Sequence, residues 1–479
     1  MSRRVIPPRL PNMDLGRVRE KAEAARAAAA TWRRYSLSER VSLLRRLWAE
    51  LMERRQALVK VVHDETGKPP AEIESLELDA AQLIVRYYAA NAHRILQDKA
   101  AWRPWMMLNK RAYVRYVPRG VIGLVTPWNM PFLIPFGDAF AAMLAGNAVL
   151  LKPSEWTSRT ALWVEEAISA TGLLPEGLFG VAVGDKEVGG VVAAEADMLL
   201  FTGSIRAGRE VANAAAGALK PCVLELGGKH PMIVFKDAAL ERAARAAVWG
   251  AFANCGQLCV GVERVYVESE VHDAFVDLVR REMAGLRQGL DGDVELGRLI
   301  YPPQLEVVQE HLADAKTRGA EIVGGDVIDA ENLLIQPALV LKAAHDMRVM
   351  NEETFGPVLP IMKVERGEEG IRLSNMGQYG LSASLWTRDI SRAERLGLSV
   401  EAGLLGINDV ASHYALCALP FGGIKQSGLG RRHSDEGLRM FCWPQSVAVH
   451  EWPAKAPELW WFPYKPWKTR LLARLTRWS

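Results

Sequence analysis

The chain has 479 residues, of which 49% are hydrophobic, 24% charged and 8% aromatic. This usage is typical of folded globular proteins and excludes disordered, collagen-like and coiled-coil chains. Lysines and arginines number 59 against 56 aspartates and glutamates, so the formal net charge is only +3. Such a small charge, without a long basic run in the body of the chain, gives no support to a nucleic-acid partner.

The N-terminus and the cysteines indicate the compartment. The opening segment MSRRVIPPRLPNMD is basic but lacks the apolar region of a secretory signal. Five cysteines are too few for a disulfide framework, and their odd number predicts free thiols in a reducing compartment. The most apolar stretch, 132–151, contains an aspartate, a proline and two glycines, which favours a buried helix and strand over a membrane span. We therefore expect a cytoplasmic protein.

The apolar pattern predicts a helical layer followed by two α/β series. Residues 14–98 repeat apolar side chains every three to four positions, as amphipathic helices do. From about residue 111 to 226, β-branched runs alternate with alanine-rich helical stretches, and a second such series begins near residue 229. Strand, helix and strand at this spacing predict mostly parallel sheets that bind ligands at the carboxyl ends of their strands.

Two predicted strand ends carry groups that suit a dinucleotide. In FTGSIRAG, Gly203 and Gly208 permit a close approach of the backbone, while Ser204 can cap the following helix or donate to a phosphate. An ordinary capped turn would have the same sequence. In KPSE, Lys152 and Glu155 suit the hydroxyls of a ribose, although a solvated ion pair is an equal interpretation.

The segment FANCGQLC places Cys259 in a turn at the end of a predicted helix. A thiolate is a strong nucleophile, so a functional cysteine there needs partial exposure and positive potential, whereas a buried inert thiol is the structural alternative. Cys255 lies four residues earlier and could share a helical face with Cys259. Because no second cysteine or histidine pair stands at ligand spacing, we expect no metal site.

Two further polar residues follow buried strands. Glu225 in LELGGK is either half of a satisfied structural pair or a general base with a raised pKa. Asn129 in TPWN either donates its amide to a developing oxyanion or caps the next helix.

Seven motifs in this order resemble the NAD(P)-dependent aldehyde dehydrogenase superfamily over about residues 20–450. They are TPWN (126–129), KPSE (152–155), FTGS (201–204), LELGGK (224–229), GQLC (256–259), EETFGP (352–357) and PFGG (420–423). The resemblance implies two interleaved, doubly wound α/β lobes, a Rossmann-like cofactor lobe and a catalytic lobe, with a small β oligomerisation arm. It also implies a homodimer or homotetramer.

By the same resemblance, Cys259 is the nucleophile, Glu225 the general base and Asn129 the oxyanion donor, and an aldehyde is oxidised to a carboxylic acid. Glu155 favours NAD over NADP, because its carboxylate would repel a 2′-phosphate. The alternatives are a succinic-semialdehyde dehydrogenase, a coenzyme A-acylating enzyme or a non-catalytic member of the fold. The expected cofactor contacts are Thr126, Pro127, Trp128, Lys152, Ser154, Glu155, Gly203, Ser204, Gly208, Leu226, Gly227, Glu353 and Phe355.

The expected substrate tunnel is apolar, with core packing of its residues as the alternative, and indicates a bulky or long-chain apolar aldehyde. Its expected lining is Met130, Leu133, Ile134 and Phe421. Where many relatives carry an aromatic residue and a lysine, this chain has Gly137 and Asp138. We expect that loss of bulk to widen the tunnel.

The resemblance divides the chain into functional segments. Residues 1–99 and 119–227 are expected to form the NAD-binding domain, 228–430 the catalytic domain, and 100–118 with 440–450 the oligomerisation arm. Residues 451–479 form a basic tail with five tryptophans and a charge of +5 after residue 464. A helix in this tail would have an apolar face of Trp467, Leu471, Leu475 and Trp478. That face predicts either peripheral contact with a membrane surface or docking on protein.

Overall fold

Two mainly parallel β-sheets, both associated with helices, form the centre of the computed structural model, which describes residues 6–451 and 458–477. A layer of helices precedes the first sheet and confirms the helical pattern predicted for residues 14–98. Ser36 and Glu39 form a reciprocal capping box that fixes the start of the helix Leu37–Glu53. Leu44, Leu47 and Leu51 form the buried stripe of this helix. The helices of this layer are α1 (Leu15–Trp32), α2 (Leu37–Glu53), α3 (Arg55–Thr66), α4 (Pro70–Ile73) and α5 (Ala80–Leu96).

The first sheet has six strands in the order β17, β7, β6, β3, β4, β5, and its five strands from β3 to β7 are parallel. The short β17 joins the edge antiparallel to β7. Helices connect successive strands, as the alternating pattern predicts. The elements are β3 (Val121–Val125), α6 (Leu133–Leu144), β4 (Ala148–Lys152), α7 (Ser158–Thr171), β5 (Phe179–Val181), α8 (Lys186–Glu195), β6 (Met198–Thr202), α9 (Ile205–Gly217), β7 (Cys222–Glu225) and β17 (Gly428–Leu429).

The second sheet has seven strands in the order β10, β13, β14, β9, β8, β15, β16, and only β10 is antiparallel to its neighbour. A separate hairpin pairs β11 with β12. The elements are β8 (His230–Val234), α10 (Leu240–Phe252), β9 (Val262–Glu268), α11 (His272–Ala284), α12 (Pro303–Thr317), β10 (Glu321–Gly324), β11 (Val327–Asp329), β12 (Leu334–Ile335), β13 (Ala338–Leu341), α13 (Arg348–Asn351), β14 (Val358–Val364), α14 (Gly367–Asn375), β15 (Ser382–Trp386), α15 (Ile390–Gly397) and β16 (Leu404–Ile407).

A third sheet joins residues 99–118 to a segment that follows the second sheet in the sequence. Its strands are β1 (Lys99–Ala100), β2 (Lys110–Pro118) and β18 (Cys442–His450), and β2 pairs antiparallel with β18 over nine residues. Two more helices, α16 (Ser434–Arg439) and α17 (Pro466–Thr476), flank β18 in sequence. None of the helices in the described part of the chain combines the length and apolar character needed to cross a membrane.

Candidate active site

The carboxyl ends of neighbouring strands in the first sheet bring the predicted motifs to one edge. TPWN follows β3, KPSE begins at the end of β4, FTGS ends β6 and LELGGK spans the end of β7. A cavity of about 260 Å³ lies where this edge faces the second sheet. Twelve of the predicted site residues line it: Pro127, Trp128, Asn129, Ile134, Gly203, Ser204, Glu225, Leu226, Gly227, Cys259, Glu353 and Phe355.

A sharp turn after α10 delivers Cys259 to this cavity. The helix ends at Phe252, and Asn254 and Cys255 adopt left-handed φ angles of 52° and 53°. The prediction that Cys255 and Cys259 could share a helical face was therefore wrong, since the chain leaves the helix before either residue. Cys255 is fully buried, whereas Cys259 is partly exposed. Of these two cysteines, Cys259 therefore has the partial exposure that a nucleophile requires, and Cys255 does not.

The electrostatic surroundings of Cys259 favour the neutral thiol. Burial raises the pKa of the Cys259 thiol to about 12, and the carboxylates of Glu225 and Glu353 add to the rise. The guanidinium of Arg432 opposes it. A thiol of this kind must lose its proton to a base before or during attack on an electrophile.

The side chain of Asn129 lies beside the cysteine turn. Its Nδ2 donates to the backbone carbonyl of Gln257 at 2.9 Å, while the main-chain carbonyl of Asn129 accepts from Asn254 Nδ2 at 3.1 Å. The next helix, α6, has no side-chain cap, so the capping role left open by the sequence is absent. Asn129 lines the cavity with an amide whose second hydrogen is available to a ligand oxygen.

Glu225 is buried at the end of β7, with 3% of its surface exposed. Neither carboxylate oxygen has a hydrogen-bond partner among the described residues. The satisfied structural pair that the sequence left open is therefore not formed. Burial raises the pKa of the Glu225 carboxyl to about 8; nearby Asp138 adds to this rise, while Arg432 and Arg431 oppose it. Above about pH 8 this carboxyl is mostly deprotonated and can take a proton from water.

The far wall of the cavity comes from the EETFGP turn. Gly228 N–H donates to Glu353 Oε1 at 2.7 Å, and a Cβ on Gly227 would lie 2.5 Å from Glu353 Oε2. Only a glycine at 227 therefore allows this carboxylate to approach. Burial and the charge of Glu263 raise the pKa of the Glu353 carboxyl to about 8. The rings of Trp128 and Phe355 meet edge to face at 5.5 Å across the same opening.

The predicted ribose contacts lie beyond the cavity, past β4. Lys152 is buried, donates to the carbonyls of Pro153 and Gly184 at 2.8 and 2.7 Å, and lies 3.8 Å from the Glu155 carboxylate. Burial lowers the pKa of the Lys152 amine, and Glu155 opposes this. Ser154 is also buried and accepts from the Trp156 N–H at 3.3 Å.

The FTGS turn opens α9 as predicted. Ser204 is its N-cap, and its hydroxyl accepts from Ala207 N–H at 3.4 Å. A Cβ on Gly208 would lie 2.5 Å from a methyl of Leu226, so a glycine is required where α9 packs on β7. Thr126, just after β3, is buried, and its hydroxyl has no partner among the described residues.

Three predicted tunnel residues do not line this cavity. Met130 and Leu133 belong to the core around the helical layer, and the Met130 sulfur accepts from the Lys68 ammonium at 3.3 Å. Phe421 packs in a small cluster against Cys259. Gly137 does not widen the cavity, because a Cβ there would point at Ile84 on α5, 2.9 Å away. Core packing, the alternative left open by the sequence, describes Met130 and Leu133.

The structure adds lining residues that sequence reasoning missed: Thr202, Tyr301, Gln304 and Val307. Tyr301 stacks on Trp128 at 5.6 Å, and Gln304 donates to the Thr354 carbonyl at 2.6 Å. Three of the four come from α12 or the residues just before it, a segment without a recognised motif. Thr202 ends a predicted strand and was detectable as a polar residue at that position.

Glu263 and Arg432 are the charged residues that the motifs did not indicate. Glu263 pairs with Lys229 at 2.6 Å and accepts from the Thr354 and Phe355 N–H groups, which fixes the EETFGP turn. Arg432 pairs with Asp138 at 2.9 Å.

Within 6–451 and 458–477, no group of three His, Cys, Asp or Glu side chains is arranged to hold a metal ion.

Comparison with known proteins confirms the resemblance. The profile of the aldehyde dehydrogenase family matches residues 8–447. A 4,4′-diapolycopene aldehyde oxidase of Methylomonas sp. is 37% identical over 450 residues, which cover 93% of this chain and 84% of the relative. A Mycolicibacterium smegmatis protein with the provisional name succinate-semialdehyde dehydrogenase, NADP(+), is 35% identical over 433 residues, covering 89% and 83%.

Solved structures agree. The crystal structure of a Mycobacterium tuberculosis aldehyde dehydrogenase complexed with NAD+ superposes with a TM-score of 0.86. It is 32% identical in sequence, and the match covers 94% of this chain and 92% of that one.

Proposed function

The chain belongs to the aldehyde dehydrogenase family, and on that premise we propose that it oxidises an aldehyde to a carboxylic acid with NAD, or with NADP, through Cys259. The observation that carries the proposal is the single cavity lined by Cys259, Asn129 and Glu225. A thiol, an amide donor and an unpaired carboxyl are the three groups that this reaction needs.

In the first step the Cys259 thiol loses its proton to solvent water, and the sulfur bonds to the aldehyde carbon as the carbonyl π electrons move to the oxygen, which gives the anion of a thiohemiacetal. The negative charge that develops on the carbonyl oxygen is stabilised by the Asn129 side-chain amide and the backbone N–H of Cys259. Because Gln257 O already accepts one Asn129 hydrogen, the amide is oriented before substrate arrives. A preorganised donor of this kind contributes about 3 kcal/mol to such a step.

The residues present fit a dinucleotide. The N-terminus of α9 with Ser204 suits a pyrophosphate, Lys152 and Glu155 suit a ribose, and Glu353 with Phe355 borders the nicotinamide side. Oxidised nicotinamide, when bound, accepts the hydride from the carbon on Cys259. The carboxylate of Glu155 favours NAD, because it would repel a 2′-phosphate.

The last step is hydrolysis of the thioester left on Cys259. Glu225 takes a proton from water, the water oxygen bonds to the acyl carbon, and the carbon–sulfur bond breaks to release the acid and the Cys259 thiolate. The environment of the Glu225 carboxyl supports this role. Both of its oxygens are buried without a hydrogen-bond partner among the described residues, so they can accept a hydrogen bond from water. Transfer to water makes coenzyme A unnecessary.

The wall of the cavity supports an apolar aldehyde as substrate. Ile134 and Val307 contribute apolar side chains to it outside the expected cofactor contacts, and no lysine or arginine is among its described lining residues. A succinic semialdehyde would need a cation for its carboxylate. The relative named as a 4,4′-diapolycopene aldehyde oxidase is consistent with a long apolar substrate.

The C-terminal tail supports peripheral membrane contact. Its aromatic side chains face solvent in this chain, with Trp461 55% and Phe462 77% exposed. On α17, Trp467 and Leu471 are exposed on a helix that also carries Lys468, Arg470 and Arg474. Exposed aromatics beside cations fit an anionic membrane surface. Trp452 and Trp478, which the prediction included, lie outside the described residues.

The remaining assignments follow from this function. We assign cofactor binding to 1–99 with 119–227, catalysis to 228–430, and subunit pairing in a homodimer or homotetramer to 100–118 with 440–450. A cytoplasmic location, peripheral to a membrane, fits five cysteines that are all free.

The test is an aldehyde panel with NADH or NADPH absorbance as the readout. The panel runs from short acidic through aromatic to long-chain and terpenoid aldehydes, with and without coenzyme A. We expect reduction of NAD with apolar aldehydes and release of free acid without coenzyme A. No reduction with any aldehyde, or product only with coenzyme A, would overturn the proposal.

A further inference from the structure

A buried ion pair borders the Glu225 side of the cavity. Arg432 Nη2 donates to Asp138 Oδ2 at 2.9 Å and to Thr202 Oγ1 at 2.8 Å. Both charged side chains are less than a tenth exposed. The partners come from α6, from the end of β6 and from the loop before α16, so the pair joins three distant segments.

The backbone fixes where the guanidinium lies. Arg432 and Phe421 exchange two backbone hydrogen bonds of 2.7 and 2.8 Å. The next residue after Phe421 is Gly422, where a Cβ would lie 3.0 Å from Glu225 Oε1. On the other side, Thr202 is the strand partner of Glu225. Arg432 therefore contacts the two segments that flank the Glu225 carboxyl.

The charge of Arg432 acts on both catalytic groups. Burial raises the pKa of Glu225 and of Cys259, and Arg432 opposes the rise at each. Asp138 acts on Glu225 in the opposite sense. Other charged or titratable groups also face this region: Tyr88, Glu353, Tyr414, Arg431 and His433. Arg432 Nε is buried without a partner among the described residues, so the charge is incompletely compensated.

We propose that Arg432 is a positioning residue whose guanidinium, oriented by Asp138 and Thr202, stabilises the deprotonated form of Glu225 that serves in hydrolysis of the thioester. Arg432 is not among the residues that line the cavity, so it acts through Glu225. The inference rests on the proposed function, because it assigns a partner to the proposed base. It makes Asp138 the opposing partner, which limits the effect of the guanidinium.

The experiment isolates hydrolysis of the acyl-enzyme. The full-length enzyme is acylated with p-nitrophenyl acetate, so that Cys259 takes the acetyl group and p-nitrophenolate leaves. Excess ester is removed, and loss of the acetyl group is followed by intact-protein mass spectrometry across a pH series. The variants are Arg432→Met, Arg432→Lys and Asp138→Asn, and peptide mapping locates the acetyl group.

Opposite shifts are the expected result. In Arg432→Met the pH midpoint of deacylation rises by about one unit, because a nearby positive charge is lost. In Asp138→Asn the pH midpoint falls, because a negative charge is lost. The pH midpoint of Arg432→Lys lies between those of wild type and Arg432→Met. If Arg432→Met does not fold, the other two variants test the proposal: the pH midpoint of deacylation should fall in Asp138→Asn and rise in Arg432→Lys, each relative to wild type. Equal midpoints in all folded variants, or shifts in one direction, overturn the proposal. Failure to acetylate wild-type Cys259 instead overturns the proposed function.

Discussion

Asn129 Nδ2 donates to the main-chain carbonyl of Gln257, two residues before Cys259, at 2.9 Å. This bond ties the amide to the turn that carries the nucleophile, so the two groups keep their relative positions. Asn254 strengthens the arrangement, since its own amide donates to the carbonyls of both Asn129 and Gln257 at 3.1 Å. The Asn129 amide and the turn that leads to Cys259 therefore belong to one hydrogen-bonded unit.

Replacing Asn129 tests whether its side-chain amide contributes to aldehyde oxidation. We expect Asn129→Ala to lower kcat/KM for aldehyde oxidation by about a hundredfold to a thousandfold, as loss of an oxyanion donor does. Asn375→Ala is the matched control, because Asn375 also donates to a carbonyl, that of Ser399, but outside the cavity. Similar losses in the two variants would show that the effect at Asn129 is structural.

The nucleophile can be separated from other exposed thiols. We expect Cys259→Ser to lower aldehyde oxidation by at least about a thousandfold, since no other group replaces a covalent nucleophile. Cys222→Ser is the control, because Cys222 is likewise partly exposed but lies on β7 away from the cavity. Oxidation that survives in Cys259→Ser would refute the assigned nucleophile.

If Glu225 is the general base, hydrolytic turnover should depend on pH. Glu225 acts when deprotonated and its pKa is raised to about 8, so hydrolytic turnover should rise with pH through about 8 and level above it. We expect Glu225→Gln to keep the first burst of NADH but to lower steady-state turnover by about a hundredfold to ten-thousandfold. Rapid-mixing absorbance measures both phases.

Glu353 provides the control for this pH dependence, because its carboxyl lines the same cavity and its pKa is also raised to about 8. Glu353→Gln should keep the rise near pH 8 and increase the KM for NAD. If the rise disappears in Glu353→Gln and persists in Glu225→Gln, the base has been assigned to the wrong carboxyl.

Cofactor choice depends on Glu155. We expect Glu155→Gln to increase the ratio of kcat/KM with NADP to that with NAD roughly tenfold, because a repulsive charge near the ribose is removed. Glu187→Gln, an exposed glutamate in the first turn of α8, should leave the ratio unchanged. A wild-type preference for NADP would contradict this reasoning.

The tail predicts binding to anionic vesicles. We expect the full-length protein to sediment with anionic vesicles at low salt and to be released by high salt, because the tail carries exposed cations beside its aromatics. A chain ending at residue 450 should remain in the supernatant. A variant with Trp460, Trp461 and Trp467 each changed to Ser keeps the charge and measures the aromatic share. Equal partitioning of full-length and shortened chains would exclude a membrane role for the tail.

The local pattern was enough to predict much of the fold. The alternation of apolar runs and alanine-rich stretches predicted the order of strands and helices from β3 to β7, because a strand buried on both faces leaves a short apolar run between the longer helical stretches. Strand ends then indicated polar residues such as Lys152 and Glu225, which the parallel sheet brings to one edge. The motifs at these ends carried eight of the predicted residues into the lining of one cavity.

Contacts between distant segments were beyond the sequence pattern. Gly137 was expected to enlarge the substrate space, but its direction depends on α5, where Ile84 lies 2.9 Å from its Cβ position. The pairing of Asp138 with Arg432 spans 294 residues, and neither side chain alone indicates the other. The kink at Asn254 arises from left-handed backbone angles that non-glycine residues rarely adopt, so the pattern favoured a continued helix.

The pairing of β2 with β18 has a consequence for synthesis on the ribosome. Lys110 to Pro118 is made early, yet its partner from Cys442 to His450 is translated more than 300 residues later. Until then β2 exposes an open row of backbone donors and acceptors, which is a template for aggregation. A chain that ends before β18 leaves this edge of β2 unpaired, so premature termination there favours aggregation.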